Sequence, residues 1–388
     1  MPTNSPMYSE GMSTSDTRGG GSIGEAFART PPARVTIVCT RRIGDVLLAT
    51  PLARSVRRAW PDTHLTMLVF AGTEGVLVGN PDLDRTITIT EQQRLLPRLA
   101  LMKRFWREDD LAISVLTSDR AVLNAWAIGR KRVGMVEPDR GRWTRSLLHA
   151  TVPFDDLGTH TVAMNLRLCG PLGIAPVPEV VAGFRPEDQT AARAALPFDI
   201  DREPFAVVHV SPKFAYKRWT ADGWIALVKW LRAAGLRVVF TGGRDPEERA
   251  ELLAVKAKVP GLATDVSGRV SLAGVAALLH RARVYVGPDT AVTHMAAAAG
   301  IPVVALFGPS NPVKWGPWPI GCTDAASPWQ SRGTQRVGNV TLVQGEGECV
   351  PCRLEGCDRH VASTSRCLQE MPAEVVIAAV ERALGSFS

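Results

Sequence analysis

Short apolar segments alternate with amphipathic ones along most of the chain, and the alternation occurs in two series. The first series opens with β-branched residues at 35–39, continues through a helical pattern at 46–56 and returns to an apolar segment at 65–70. Further apolar segments that predict strands lie at 87–89, 111–116 and 132–136. A strand, a loop, a helix and another strand in this order predict a parallel α/β sheet.

A proline-rich region separates the two series. It runs from about 177 to 204 and predicts only one short helix, at 190–196. The second series then comprises predicted strands at 205–210, 237–241, 284–286 and 301–307 and predicted helices at 221–234, 247–258 and 272–281. Two successive α/β units predict two Rossmann-like domains that face a central cleft. Ligands of such sheets bind outside the carboxyl ends of the strands.

These patterns divide the chain into four parts. Residues 1–32 are rich in Ser, Gly, Thr and Pro and predict a disordered tail without the apolar core of a secretion signal. The first domain is expected over 33–185 and the second over 200–371, and a helix within 372–388 is expected to pack back across both. Since no segment approaches the roughly 18 apolar residues of a membrane-spanning helix, we expect a cytoplasmic protein.

The net charge is +7 and the sequence pI is about 9.2, which favours anionic partners, although solubility alone explains so small an excess equally well. Basic and apolar residues are interleaved most densely at 94–107, where the basic ones are Arg94, Arg98, Lys103, Arg104 and Arg107. This stretch would contact an anionic membrane surface or a phosphorylated lipid; the alternative is an ordinary amphipathic helix. Nucleic acid is disfavoured, because no recognition motif accompanies the charge.

The strongest candidate for chemistry is the segment 284–300, in which a predicted strand runs through Gly-Pro into an Ala-rich helix. Asp289 or Thr290 can cap that helix, and its first amides together with the helix dipole favour an anion. His294 lies one turn further on, on the same face as Thr290. The alternative is a simple cap followed by a core histidine.

Two loops that follow predicted strands offer weaker candidates. In the loop at 209–219, Lys213, Lys217 and Arg218 would meet a diphosphate, or would form an ordinary solvated basic loop. In the first domain, Gly44 permits a tight turn, and Asp45 is either a general base that faces the cleft or the cap of the next helix. No GxGxxG or GxxxxGK[ST] motif follows a predicted strand, which argues against an NAD dehydrogenase or a P-loop kinase.

The chain has seven cysteines, and without a secretion signal they argue against a disulfide framework. Four of them lie within 349–367, at Cys349, Cys352, Cys357 and Cys367. Four thiols at this spacing would hold a structural zinc or iron ion. The alternative is a set of reduced thiols that pack an irregular loop.

Together these segments resemble glycosyltransferase family nine, the ADP-heptose:lipopolysaccharide heptosyltransferases. The resemblance rests on IGDVLLATPLARSVRRAWPD, KRWTADGWIALVKWLRAAGLRVVFTGG, GPDTAVTHMAAAAGIPVVALFGPSNPVKWGPW and CLQEMPAEVVIAAVERAL. It spans roughly residues 34–386, and the DTxxxH segment followed by PVVALFGPSNP is its most specific part. It implies a GT-B fold, inversion at the anomeric carbon and no cofactor for catalysis. It also implies transfer from ADP-L-glycero-D-manno-heptose to the anionic inner core of lipopolysaccharide, at the inner-membrane surface.

Site roles follow from the same resemblance. Asp45 would be the general base, with Arg41, Arg42 and Gly44 beside the acceptor. Lys217 would hold the diphosphate and stabilise the leaving ADP. The remaining donor contacts would be Ser211, Glu247 at the ribose, Asp289, Thr290, Ala291 and His294. Protein heptosyltransferases that are related to this family use a cysteine-bound iron, which would fit the four clustered thiols.

One position departs from the family pattern, since Ala291 stands where the family usually has Gly. A methyl group there would crowd the sugar or shift the donor preference. A transferase that uses another nucleotide-sugar is therefore one alternative. Two others stay open independently of Ala291: a transferase that heptosylates a protein such as an autotransporter, and a non-catalytic protein that binds a sugar nucleotide.

Overall fold

The computed structural model describes residues 22–91, 103–138 and 142–385, and two sheets organise them. The first sheet contains β1 Arg34–Cys39, β2 His64–Phe70, β3 Arg85–Ile89, β4 Asp109–Ser114, β5 Gly129–Val136 and β6 Ala150–Pro153. Its strands are all parallel in the order β3-β2-β1-β4-β5-β6. This is the Rossmann order, and its direction reverses between β1 and β4, where a crevice opens at the carboxyl ends.

The second sheet repeats the same arrangement. It contains β7 Phe205–His209, β8 Arg237–Thr241, β9 Ala263–Asp265, β10 Val284–Pro288, β11 Val303–Phe307, β12 Gln335–Val337 and β13 Val340–Gln344. The order is β12-β13-β11-β10-β7-β8-β9, parallel except for β12, which pairs antiparallel with β13 at the edge. The reversal now falls between β7 and β10. The prediction of two Rossmann-like domains is confirmed, and both sheets lie inside the predicted domain spans.

Helices cover the faces of both sheets. In the first domain they are Ile23–Arg29, Ile43–Leu48, Thr50–Ala59, Asp119–Ile128, Arg142–Ser146, Thr161–Leu166 and Cys169–Leu172, with a 3-10 turn at Glu74–Leu77. From the linker onward they are Pro186–Ala194, Ala221–Ala233, Pro246–Lys258, Leu272–Leu279, Ala291–Ala298, Pro312–Trp315, Arg366–Gln369 and Ala373–Gly385, with a 3-10 turn at Ala215–Lys217. Within the described residues, no helix is both long and apolar enough to cross a bilayer.

The helix predicted over 46–56 is in fact two helices, Ile43–Leu48 and Thr50–Ala59. The break has a local cause, because Pro51 lies in the first turn of the second helix and cannot donate a backbone hydrogen bond to the first. The carbonyls freed by the break are satisfied by side chains. Thr50 donates to Leu47 O at 2.7 Å, and Asn165 donates to Leu48 O at 2.9 Å.

The predicted disordered tail is wrong for its last part, because residues 23–29 form a helix. Ser22 and Glu25 make a reciprocal capping box at its start, and Phe27 is buried with its ring centroid 5.6 Å from that of Trp60. Composition pointed to disorder, but this one aromatic side chain docks the segment on the first domain. Residues 1–21 lie outside the described residues.

Replacing Phe27 with Ala should therefore lower the stability of the first domain. Truncating a buried Phe costs about 3 kcal/mol or more. The midpoint of urea unfolding, followed by tryptophan fluorescence and circular dichroism, should fall, whereas Arg29→Ala on the exposed side of the same helix should leave it near the wild-type value. Equal midpoints for the two variants would show that the helix contributes nothing to the fold.

The C-terminal helix Ala373–Gly385 packs on one domain, which corrects the expectation that it crosses both. All four of its buried residues, Val376, Ala379, Val380 and Ala383, join the apolar cluster of the second domain. Its main partners are the Ala221–Ala233 helix and strands β10, β11 and β13. Its apolar stripe is therefore used to cover the second sheet.

The two domains meet along a continuous buried surface. One apolar cluster includes Val35 and Leu47 from the first domain together with Tyr285 and Met295 from the second. Helix Ile43–Leu48 packs against helix Ala291–Ala298. These two helices carry Asp45 and His294, and we refer to them as the Asp45 helix and the His294 helix.

Candidate active site

A cavity of about 750 Å³ lies at the carboxyl ends of the first sheet. Its wall comes from segments that follow β1, β4, β5 and β6, which places it at the reversal of strand order where such sheets bind ligands. Polar groups that face it include Thr40, Asp45, Thr117, Thr161 and Asn165. The second domain closes one side with Lys314 and Trp315. The size suits a sugar-sized group, and we call it the first-domain cavity.

Asp45 faces this cavity from the first turn of its helix. Only 13% of its side chain is exposed, and Arg41 Nε lies 3.8 Å from its Oδ1. Burial raises the pKa of Asp45, while the charges of Arg41, Arg42 and Lys314 oppose that rise. A desolvated carboxylate beside a cavity with a raised pKa has the properties of a general base.

The second half of the site lies where β10 ends. Asp289 is buried there, and Lys217 Nζ lies 2.5 Å from its Oδ2 and 3.4 Å from its main-chain oxygen. Burial favours the neutral form of Asp289, but the charges of Lys217 and His294 hold the pKa of this carboxyl below its ordinary value. The pair therefore stays ionised, and it fixes the loop after β7 to the end of β10.

No side chain in the described part of the chain caps the first turn of the His294 helix. Thr290 is the N-cap residue but makes no side-chain capping hydrogen bond, and the Asp289 carboxylate is directed to Lys217. The interpretation of Asp289 as a simple cap is thus wrong. Ala291 follows as the first helical residue and is half-buried. Amides at the start of the helix remain suited to bind an anionic oxygen.

His294 connects the two half-sites. Its Nε2 lies 3.9 Å from Asp289 Oδ1, and burial lowers its pKa to about 4, so the ring is neutral at physiological pH. A Cβ built on Gly44 would lie 3.9 Å from His294 Cδ2. Gly44 precedes Asp45 directly, so the segment that carries Asp45 meets the histidine that lies beside Asp289 at the domain interface.

The loop after β7 is anchored by contacts with both domains. The Arg42 guanidinium lies 4.6 Å from the ring centroid of Phe214, which links the two domains by a cation–π contact. Behind the loop, Ser365 donates to Tyr216 O at 2.7 Å and Gln369 donates to Arg218 O at 2.8 Å. Lys217 is consequently carried on an anchored segment. The acceptor contacts expected of Arg41, Arg42 and Gly44 stay predictions.

Two predicted donor contacts have less definite surroundings. Ser211 is buried, and its hydroxyl lies within reach of the Glu251 carboxyl, where a hydrogen bond opposes the rise in the pKa of Glu251. Glu247 is exposed at the start of its helix, where Asp245 accepts from its amide at 2.9 Å. The neighbouring Glu248 is half-buried and faces Gly243 and the charge of Lys213. The ribose role of Glu247 therefore stays a prediction.

Sequence reasoning missed Glu251, whose Oε2 lies 3.0 Å from Arg218 Nε. Burial raises its pKa to about 7, and its partner belongs to the loop that carries Lys217. It also missed Lys314, which the second domain inserts into the first-domain cavity. The pattern that could have revealed Lys314 is its place in the GPSNPVKW segment, directly after the end of β11.

The four clustered cysteines do not fit a metal site. All are free thiols, and over 22–91, 103–138 and 142–385 no three His, Cys, Asp or Glu side chains are arranged to hold a metal ion. Burial raises the pKa of Cys367 to about 11, and the other three thiols add to this rise. The Arg366 amide instead donates to Cys357 Sγ at 3.3 Å. The predicted structural zinc or iron is not supported.

The described part of the basic stretch lies away from the crevice. Trp106 is 48% exposed and packs edge-on against Trp126 at 5.0 Å, just before the start of β4. That is the amino end of the sheet, opposite to the cavity. Arg94 and Arg98 lie outside the described residues.

Comparison with known proteins agrees with this architecture. The model of glycosyltransferase family 9 (heptosyltransferase) matches residues 98–331, so the chain belongs to glycosyltransferase family 9 and is a glycosyltransferase. Lipopolysaccharide heptosyltransferase 3 of Escherichia coli K12 is 26% identical over 354 residues, which are 88% of this chain and 95% of the relative.

Solved structures show the same fold. A family 9 glycosyl transferase from Veillonella parvula DSM 2008 has a TM-score of 0.72 at 20% identity and covers 91% of this chain and 97% of its own. The E. coli heptosyltransferase WaaC with ADP has a TM-score of 0.67 at 18% identity, and the match covers 90% of this chain and 99% of WaaC. The GT-B fold is therefore confirmed.

Proposed function

We propose that this enzyme transfers heptose from ADP-L-glycero-D-manno-heptose to the inner core of lipopolysaccharide, with inversion at the anomeric carbon. The observation that carries the proposal is the meeting of the two half-sites at His294, whose ring lies against Gly44, the residue before Asp45, and 3.9 Å from Asp289, the partner of Lys217. The choice of heptose and of lipopolysaccharide is supported by relatives that bear those names and match most of the chain.

The proposed reaction is a single displacement. Asp45 accepts the proton of an acceptor hydroxyl in the first-domain cavity, and the oxygen forms a bond to the anomeric carbon as the bond to the diphosphate breaks. Negative charge then develops on ADP. Lys217 and the first amides of the His294 helix meet that charge on the opposite side of the sugar. Base and leaving group on opposite faces give the inverted product.

Two domains each supply half of this chemistry. Since the Asp45 helix packs against the His294 helix, a change in domain separation would move base and donor site relative to each other. Closure that assembles the site also excludes water, which would otherwise hydrolyse the donor.

We place the enzyme on the cytoplasmic face of the inner membrane, because its proposed acceptor is an anionic, membrane-anchored lipid. The exposed Trp106 with its neighbouring arginines suits headgroups, but it lies opposite to the first-domain cavity, so the placement itself rests on the proposed acceptor. Co-sedimentation with vesicles that contain anionic lipid tests this placement. Binding should weaken in Trp106→Ser, and equal binding by both proteins would remove the surface from the proposal.

Ala291 sets the space beside the first helix amide, and its substitution tests whether a phosphate binds there. Ala291→Val adds bulk at this amide and should weaken ADP binding about tenfold or more, which is about 1.4 kcal/mol. Ala291→Gly, the matched control, should bind ADP nearly as the wild type does. Isothermal titration of ADP measures both. Unchanged binding by the Val variant would place the phosphates elsewhere.

ADP release from ADP-heptose by purified protein, with and without Kdo-lipid A, tests the proposed activity. Release that requires the lipid supports the proposal. Release with a protein acceptor and not with the lipid would favour protein heptosylation. If ADP-heptose binds and no ADP is released with any acceptor, the chain is a binding protein and the proposal fails.

A further inference from the structure

One segment of the second domain reaches across to the first domain right after β11. Residues 310–316, here named the bridge segment, begin at Ser310, whose hydroxyl hydrogen-bonds to Asp289. Asn311 then donates to Leu157 O at 2.9 Å in the first domain. The bridge segment thus touches the donor half of the site at its start and the first domain one residue later.

First-domain side chains fix the rest of the bridge segment. Thr161 donates to Lys314 O at 3.2 Å, and His160 Nε2 donates to Gly316 O at 2.7 Å. The donor nitrogen of His160 is defined, because its Nδ1 accepts from the Val162 amide at 3.1 Å. Burial lowers the pKa of His160 to about 3, so this neutral tautomer persists at physiological pH. These bonds define where Lys314 enters the cavity.

Lys314 is an unusually buried cation, with 8% of its side chain exposed. Its ammonium pairs with Asp156 and lies 4.9 Å from the ring centroid of Phe154 and 5.3 Å from that of Trp315. It lines the first-domain cavity together with Asp45. Burial lowers its pKa to about 8, so it still carries a charge at neutral pH.

We propose that Lys314 is a positioning residue for the transfer reaction: the second domain inserts its charge into the first-domain cavity, where it keeps the Asp45 carboxylate ionised. This rests on the proposed role of Asp45 as the base. The bridge segment links the two half-sites over five residues. It begins at Ser310, which hydrogen-bonds to Asp289, and reaches Lys314, whose charge acts on Asp45. Separation of the two domains would therefore leave Asp45 protonated up to a higher pH.

The effect of Lys314 on Asp45 can be separated from the effects of the first-domain charges. Arg41 and Arg42 act on Asp45 from its own side of the crevice, and the buried Cys39 thiol lies on the strand before it. Lys314 is the second-domain cation that lowers the pKa of Asp45. Lys314 itself faces Arg41, Asp45, Asp155 and Asp156. Its removal leaves the first-domain charges in place.

Carbon-13 NMR of the Asp carboxyl groups, with the Asp45 resonance assigned through Asp45→Asn, tests the proposal without any substrate. In Lys314→Met the pKa of Asp45 should rise by about one, which lowers the ionised fraction about tenfold on the acid side. Lys314→Arg should restore the wild-type titration, and Lys229→Met, which removes an exposed and distant charge, should not alter it. Lys314→Gln gives a second neutral side chain if the Met variant fails to fold.

An Asp45 titration that is unchanged in both neutral variants overturns the proposal. The dependence of kcat on pH is a second measure. In Lys314→Met, kcat should fall about tenfold at acidic pH and change little at high pH. If the KM for the acceptor rises while the decline of kcat in acid is unchanged, Lys314 binds the acceptor, and this result also contradicts the proposal. Failure of the proposed function looks different, because the wild type itself would then show no turnover of ADP-heptose.

Discussion

Asp45→Asn should reduce heptosyl transfer at least about a hundredfold while ADP binds with unchanged affinity, because the amide keeps the shape of the carboxylate but accepts no proton. Asp45 contacts the cavity of the first domain, whereas the nucleotide is expected at Lys217 and Asp289. The rate of ADP release and isothermal titration of ADP provide the two measurements. Asp62→Asn, an exposed carboxylate of the same domain, is the control and should be fully active.

The same residue predicts the pH dependence. Burial raises the pKa of Asp45, so turnover should decline with acidification at a pH above the ordinary titration of an aspartate. The direction is fixed, because only the ionised form accepts the proton. If Asp45→Asn loses ADP binding together with turnover, Asp45 supports the packing of its helix on the His294 helix and is not the base.

Lys217→Met should lower kcat by about 10² to 10³, the usual cost of removing one group that stabilises developing charge. It should also weaken ADP binding, since we propose that the same ammonium faces the diphosphate. The larger loss is expected in kcat, because charge on the leaving ADP grows as its bond to the sugar breaks. Steady-state kinetics with ADP titration separates the two effects.

Lys217→Met should also destabilise the protein, because it leaves the Asp289 carboxylate buried without its cation. Breaking such a pair costs about 3 kcal/mol, and Lys217 keeps 20% of its side chain exposed, which favours the low end of the range. The pKa of Asp289 is lowered in the fold, so its contribution is present at neutral pH and is lost as the pH falls through that lowered value. The stability difference between wild type and variant should therefore shrink in acid.

The double variant Lys217→Met with Asp289→Asn is the matched control for these two effects. Removing both charges should restore most of the urea midpoint, since no unpaired buried charge remains. It should not restore turnover. A double variant as active as the wild type would show that the pair is structural and that the leaving group is stabilised elsewhere.

The central strands of both sheets could be predicted from the sequence because they are buried on both faces. β1, β7 and β11 are continuous apolar runs, and their observed bounds agree with the prediction to within two residues. β6, β9, β12 and β13 were missed. β6, β9 and β12 are short and only partly buried, whereas β13 is fully buried but includes the polar residues Thr341 and Gln344.

The candidate site could be predicted in part. Ligands bind where the strand order reverses, which predicts that the loop after β7 and the end of β10 lie close together. Lys217 and Asp289 do meet there, although 72 residues separate them. The insertion of Lys314 beside Asp45 could not be predicted, because it depends on how the domains pack. Hydrogen bonds from Thr161 and His160 to the bridge segment decide that placement, and these contacts have no local pattern in the sequence.

Mass spectrometry of lipopolysaccharide from the bacterium that encodes this chain, with the gene deleted, tests the central claim most directly. The proposal predicts a core that lacks one heptosyl residue and whatever is attached beyond it. The wild-type gene should restore the full mass, while Asp45→Asn and Lys217→Met, expressed at equal levels, should not. An unaltered core in the deletion strain, or full restoration by the Asp45→Asn gene, would contradict the account.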